Sequence, residues 1–118
     1  LENLNLKMTD CFVMGFSQGG MMAFELGQIL QNQLAGLAII SSRIISKEHK
    51  PNNAFLKTPI FISHGAQDAV LPISNYSESL EVLKKYNYNY ENYLIESDEH
   101  TMSQETITFF QNFIKKNI

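Results

Sequence analysis

The sequence contains one cysteine, Cys11, one arginine, Arg43, and no long apolar run. A lone cysteine cannot close an internal disulfide, which fits a reducing compartment and a cytoplasmic setting. The longest apolar stretch, Leu34 to Ile40 broken only by Gly36, falls far short of the roughly twenty residues a membrane span requires. No transmembrane segment is expected, and no signal-peptide core opens the chain. Basic residues are in deficit: 9 Lys and Arg stand against 12 Asp and Glu, for a net charge of -3. Such a chain lacks the basic face that a nucleic-acid backbone demands. Repeats and low-complexity segments are also absent. What remains is 118 residues of ordinary globular balance, the length of one domain spanning 1–118.

Apolar patterning divides the chain into alternating elements. Asp10 to Met14 reads as a strand broken by Gly15, and Gly19 to Leu30 repeats apolar residues at helical spacing. Leu34 to Ile40 has the character of a strand covered on both faces. Ser42 to Thr58 shows little period and reads as a loop with one helical turn. Pro59 to Ser63 is a further strand, Ser74 to Tyr86 an amphipathic helix, Tyr88 to Ile95 the last strand, and Ser103 to Lys116 the last helix. This order implies an α/β fold with a mostly parallel sheet and crossover helices. Ligands of such sheets bind beyond the carboxyl ends of the strands. Met14, Met21 and Cys11 are expected in the core.

Between the first strand and first helix stands Gly15-Phe16-Ser17-Gln18-Gly19-Gly20. A G-x-S-x-G run where a strand enters a helix is the context of a nucleophile elbow. Side chains two residues either side of the serine are expected to collide across the turn, which accounts for glycine at 15 and 19. The turn lifts the serine hydroxyl above the sheet, and the helix aims its N–H groups at developing negative charge. The Gln18 N–H is then an oxyanion donor. A glycine-rich strand–helix turn without chemistry is the plain alternative. P-loop and dinucleotide-binding readings fail, because neither G-K-[ST] nor G-x-G-x-x-G is present.

A neutral serine needs an adjacent base, and in this arrangement the partners follow in the order serine, acid, histidine. His49 precedes every acid at a strand end, and His64 is better placed to shape the turn at the end of its strand. His100 lies on the loop after the last strand, which selects it as base. Among the aspartates, Asp10 is at the wrong end of its strand and Asp98 is too near His100 in sequence. Asp68, in the turn after the third strand, can hold the imidazole in its productive tautomer. Its alternative role is a turn-stabilising Asx residue.

Taken together, G-F-S-Q-G-G at 15–20, Pro59-Ile60-Phe61-Ile62-Ser63-His64-Gly65-Ala66-Gln67-Asp68 with Leu71-Pro72, and then His100, the chain resembles an α/β-hydrolase. More narrowly it is similar to the phospholipase/carboxylesterase group that includes acyl-protein thioesterases. The resemblance implies Ser17 as nucleophile, Asp68 as orienting acid and His100 as base. It also implies hydrolysis, without metal or cofactor, of esters or thioesters with an apolar acyl chain, borne by a small molecule, a lipid or an acylated protein. Phe16 and Leu71 are the expected substrate contacts. Glu99 stands where the family tends to have glycine.

The resemblance covers the family's carboxyl-terminal half. The family's amino-terminal strands, and the loop that supplies a second oxyanion N–H, have no counterpart before Gly15. Loss of one such donor costs about 10² to 10³ in rate. The expectation is therefore either an active hydrolase or an impaired remnant serving interaction. Its first strand would offer an open edge to the missing half or to a second copy.

Overall fold

Apolar runs rich in strand formers alternate with segments of helical period, and this alternation produces a parallel sheet with helices on both faces. A computed structural model describes residues 6–30 and 32–118; the first five residues of the expected 1–118 domain lie outside them. The elements are β1 (Phe12–Phe16), α1 (Gln18–Ile29), β2 (Gly36–Ile40), α2 (Asn53–Leu56), β3 (Ile60–Gly65), α3 (Ile73–Lys85), β4 (Tyr90–Ile95) and α4 (Gln104–Lys116). The sheet order is β1-β2-β3-β4, and every neighbouring pair is parallel.

Both inner strands are buried throughout, which explains why they read as nearly continuous apolar runs. Their side chains alternate between two cores. Leu37, Ile39, Ile60 and Ile62 meet Phe24 of α1, Phe55 of α2 and Leu83 of α3. Ala38, Ile40 and Phe61 meet Phe113 of α4. The Phe61 ring lies 5.4 Å from Phe110 and 5.5 Å from Phe113, centroid to centroid.

Several boundaries differ from the sequence reading, each for a local reason. Asp10 is not in the first strand. It closes a 3₁₀ turn, Met8–Asp10, in which its carboxylate accepts the Lys7 N–H at 2.9 Å. Gly15 does not break β1 but lies within it, paired with Ile39. Met14 is 44% exposed rather than in the core, because β1 is an edge strand and α4 covers the middle of that face. The helical turn expected within 42–58 is α2, capped by the Asn52 side chain, whose Oδ1 accepts the N–H groups of Ala54 and Phe55. Tyr88 precedes β4, its N–H bonded back to Leu83 as the chain leaves α3.

The parallel register aligns Phe16 with Ile40, Ile40 with Ser63, and Gly65 with Ile95. The turns after β1, β3 and β4 therefore open on one rim of the sheet. They carry Ser17, Asp68 and His100.

Candidate active site

Ser17 sits between β1 and α1 at φ 58°, ψ -124°, a conformation that L-residues rarely adopt. The main chain around it is held on both sides. Its N–H donates to the Ile40 carbonyl at 2.9 Å, and its own carbonyl accepts from the Gly20 N–H at 3.0 Å and from the Ser42 hydroxyl. The glycines act differently from the sequence expectation. A Cβ on Gly15 would fall within the backbone of Gly19 and Gly20, and one on Gly20 would strike the Ser42 side chain. A Cβ on Gly19 meets nothing. The tight crossing thus requires glycine at 15 and 20, not at 15 and 19.

Asp68 is enclosed by the turn that follows β3; its side chain is inaccessible to solvent. One carboxylate oxygen, Oδ1, accepts the N–H groups of Val70 at 2.9 Å and Leu71 at 2.8 Å. The other, Oδ2, lies 2.7 Å from His100 Nδ1. Asp68 thus does both things the sequence allowed: it stabilises its turn through one oxygen and engages the histidine through the other. Burial alone would raise its pKa. The hydrogen bonds from Leu71, His100 and Val70, with the charge of His100 when protonated, outweigh burial and hold the carboxyl below its ordinary value of 3.8.

His100 completes the chain of contacts. With the Nδ1 proton donated to Asp68, Nε2 presents a lone pair 2.9 Å from Ser17 Oγ and accepts the hydroxyl proton. The three residues are 83 positions apart at the extreme, yet their polar atoms form one continuous line. Two features missed by the sequence reading hold the His100 loop. Gly65 lies so close to the carbonyls of Asp98 and Glu99 that a Cβ there would enter that backbone. Ser41, at φ 51°, donates its hydroxyl to the Thr101 carbonyl at 3.3 Å. Glycine at the end of the strand read at 59–63 was a visible signal for the first; nothing local marks the second.

Gln18 opens α1, so its N–H belongs to the helix-terminal donors that have no intrahelical acceptor. Phe16 is 37% exposed, and its ring centroid lies 5.0 Å from that of His100. Phe16, His100, Thr101 and Met102 line an open groove of about 480 Å³. Leu71 contributes through its main chain, donating to Asp68 and accepting from His64 Nε2 at 2.6 Å. Of the remaining candidates, two stand apart and the third, His64, adjoins Asp68. His49 bonds to Ser46 and Tyr88 behind α1, Asp98 is buried against the Thr106 hydroxyl, and His64 shapes the turn as its position suggested. Among the described residues no cluster of three metal-ligating side chains occurs, and no helix is long and apolar enough to cross a membrane.

Comparison with known proteins agrees with this architecture. Acyl-protein thioesterase 1 of Saccharomyces cerevisiae is 30% identical over 124 aligned positions, covering 96% of this chain and 52% of that protein. The protein of the same name from Gibberella zeae is 29% identical over 109 positions, covering 88% and 46%. The chain therefore spans about half the length of the curated relatives it matches. The crystal structure of Arabidopsis thaliana SOBER1 superimposes with a TM-score of 0.88 at 22% identity, over 98% of this chain and 57% of that one, which establishes the shared α/β fold. A sequence profile of the phospholipase/carboxylesterase family matches residues 2–118, from just inside the first residue to the last. This chain belongs to the phospholipase/carboxylesterase family.

Proposed function

We propose that this chain carries the nucleophile, acid and base of a serine hydrolase that cleaves carboxylic esters or thioesters with an apolar acyl group. The observation that carries the reading is the line from Ser17 Oγ to His100 Nε2, 2.9 Å, and from His100 Nδ1 to Asp68 Oδ2, 2.7 Å. The strained backbone of Ser17 and the names of the curated relatives, both acyl-protein thioesterases, support it.

The chemistry follows from the geometry. Ser17 Oγ attacks the acyl carbonyl while His100 Nε2 takes the hydroxyl proton, and Asp68 stabilises the imidazolium so formed. Negative charge gathers on the carbonyl oxygen, which the Gln18 N–H and the amino end of α1 favour. The C–O or C–S bond then breaks, and the alcohol or thiol leaves with the proton from His100. Water repeats the sequence on the acyl-serine and releases the carboxylic acid. Phe16 and Met102 offer an apolar wall for the acyl chain, suited to a lipid or an acylated protein.

A fluorophosphonate probe tests the reading. Labelling is expected on Ser17, absent in Ser17→Ala, and slowed by about 10² or more in His100→Ala. Wild-type protein that is folded but unlabelled at Ser17 refutes it. Hydrolysis rates across short- and long-chain esters and thioesters then define the acyl group, with long chains expected to lose most in Phe16→Ala.

A further inference from the structure

A second histidine at this rim, His64, has no place in the steps above. It is the penultimate residue of β3, its side chain is fully shielded from solvent, and its ring lies against Tyr76 of α3 with centroids 5.7 Å apart. Its Nε2 is 2.6 Å from the Leu71 carbonyl and 3.6 Å from Asp68 Oδ2. Its Nδ1 is buried without a hydrogen-bond partner. These contacts determine the tautomer. The proton must be on Nε2, where the Leu71 carbonyl accepts it; on Nδ1 it would be a buried donor facing none, and a bare Nε2 would oppose the carbonyl lone pairs.

We infer that His64 is a positioning residue for Asp68, and hence, granting the serine-hydrolase reading, for the imidazole that activates Ser17. Leu71 is gripped at both ends of its peptide frame: its N–H donates to Asp68 Oδ1, and its carbonyl accepts from His64. The Asp68 carboxylate is therefore fixed by a turn that His64 clamps to the strand. The same Nε2–H leans toward Oδ2, the oxygen shared with His100. An apolar ring would fill this space without orphaning a buried nitrogen. What histidine adds over such a ring is the Nε2–H, and the carbonyl it reaches belongs to the Asp68 turn.

Glutamine can present an amide N–H near the Nε2 position, asparagine reaches only the Nδ1 position, and phenylalanine presents none. Two readouts on the whole chain separate positioning from mere fill. In fluorophosphonate labelling, His64→Phe is expected to lose at least tenfold in rate at Ser17 while still unfolding cooperatively, and His64→Gln to stay within threefold of wild type. In NMR, the downfield His100 Nδ1 proton, absent in Asp68→Asn, is expected to shift upfield in His64→Phe and to persist in His64→Gln. Should His64→Phe not fold, the glutamine and asparagine variants decide, with only asparagine expected to lose rate and resonance. Equal behaviour of those two, or a wild-type resonance and rate in His64→Phe, overturns the proposal. The proton resonance needs no turnover. Absence of labelling in the wild type therefore refutes the hydrolase reading while leaving the role of His64 measurable.

Discussion

At the scale of single residues, the site depends on groups kept in states they would not hold in water. Ser17 occupies a backbone conformation that glycine would adopt more readily, and hydrogen bonds from Gly20 and Ser42 to its carbonyl hold it there. Asp68 is shielded from solvent yet charged, because three donors converge on its two oxygens. Its lowered pKa has a consequence for stability, with a definite sign. The unfolded chain binds the proton more tightly than the folded one. The carboxylate's contribution is therefore complete above the ordinary carboxylate value and is lost as pH falls through the lowered native one. Chemical denaturation at a series of pH values is expected to show wild type losing stability below about pH 4 more steeply than Asp68→Asn, which lacks the titrating group. Parallel curves for the two proteins would contradict the assignment of that donor set.

At the scale of elements, the close crossing of α1 over β1 aims the hydroxyl at the rim. Gly15 sits in the strand beneath the backbone of Gly19 and Gly20, so α1 begins immediately above β1 with no side chain between them. The two glycines flanking Ser17 at equal distance should then behave in opposite ways. Gly15→Ala is expected to destabilise the fold by several kcal/mol, as other steric intrusions into a tight backbone contact do, and to disturb the Ser17 turn. Gly19→Ala, in open space on the first turn of a helix, is expected to be neutral or to stabilise by about 0.5–1 kcal/mol. Urea unfolding of the pair measures both. This difference was not legible in the sequence, where the G-x-S-x-G spacing makes positions 15 and 19 look equivalent. The spacing reports that a turn is tight but not which atoms cross in it, and the crossing partner of Gly20 is Ser42, two residues past the end of β2.

At the scale of the whole molecule, the uneven coverage of the sheet stands out. β2 and β3 are enclosed, whereas β1 has, among the described residues, a neighbour on one side only. Met14 and Phe16 are exposed on one face of that edge, and α1 presents Met22, Leu26 and Ile29 at helical spacing, with exposures of 66%, 43% and 75%. We propose that the open parallel edge and the apolar helix stripe beside it take up another polypeptide. The chain in isolation is accordingly expected to associate: sedimentation coefficients should rise with concentration, and the double change Met22→Lys with Leu26→Lys should lower them. A compact monomer at every concentration would show that this edge is self-sufficient.

How far the sequence determined the protein can be judged from particular residues. The order of elements, the parallel sheet, and the placing of Ser17, Asp68 and His100 at one rim follow from features local in the chain: the period of apolar residues, glycines at a turn, a carboxylate and an imidazole just past strand ends. Local rules suffice there because strand direction and right-handed connection dictate where each strand end must lie. Tertiary structure alone decided that Met14 is exposed, that Asp98 turns to Thr106, and that Gly20 rather than Gly19 is constrained. It alone also brought His64 against the Leu71 carbonyl. Those outcomes depend on which residues from distant segments share a few cubic ångströms. Side-chain identity in the sequence names the groups available, but only the closing of the sheet sets which of them touch.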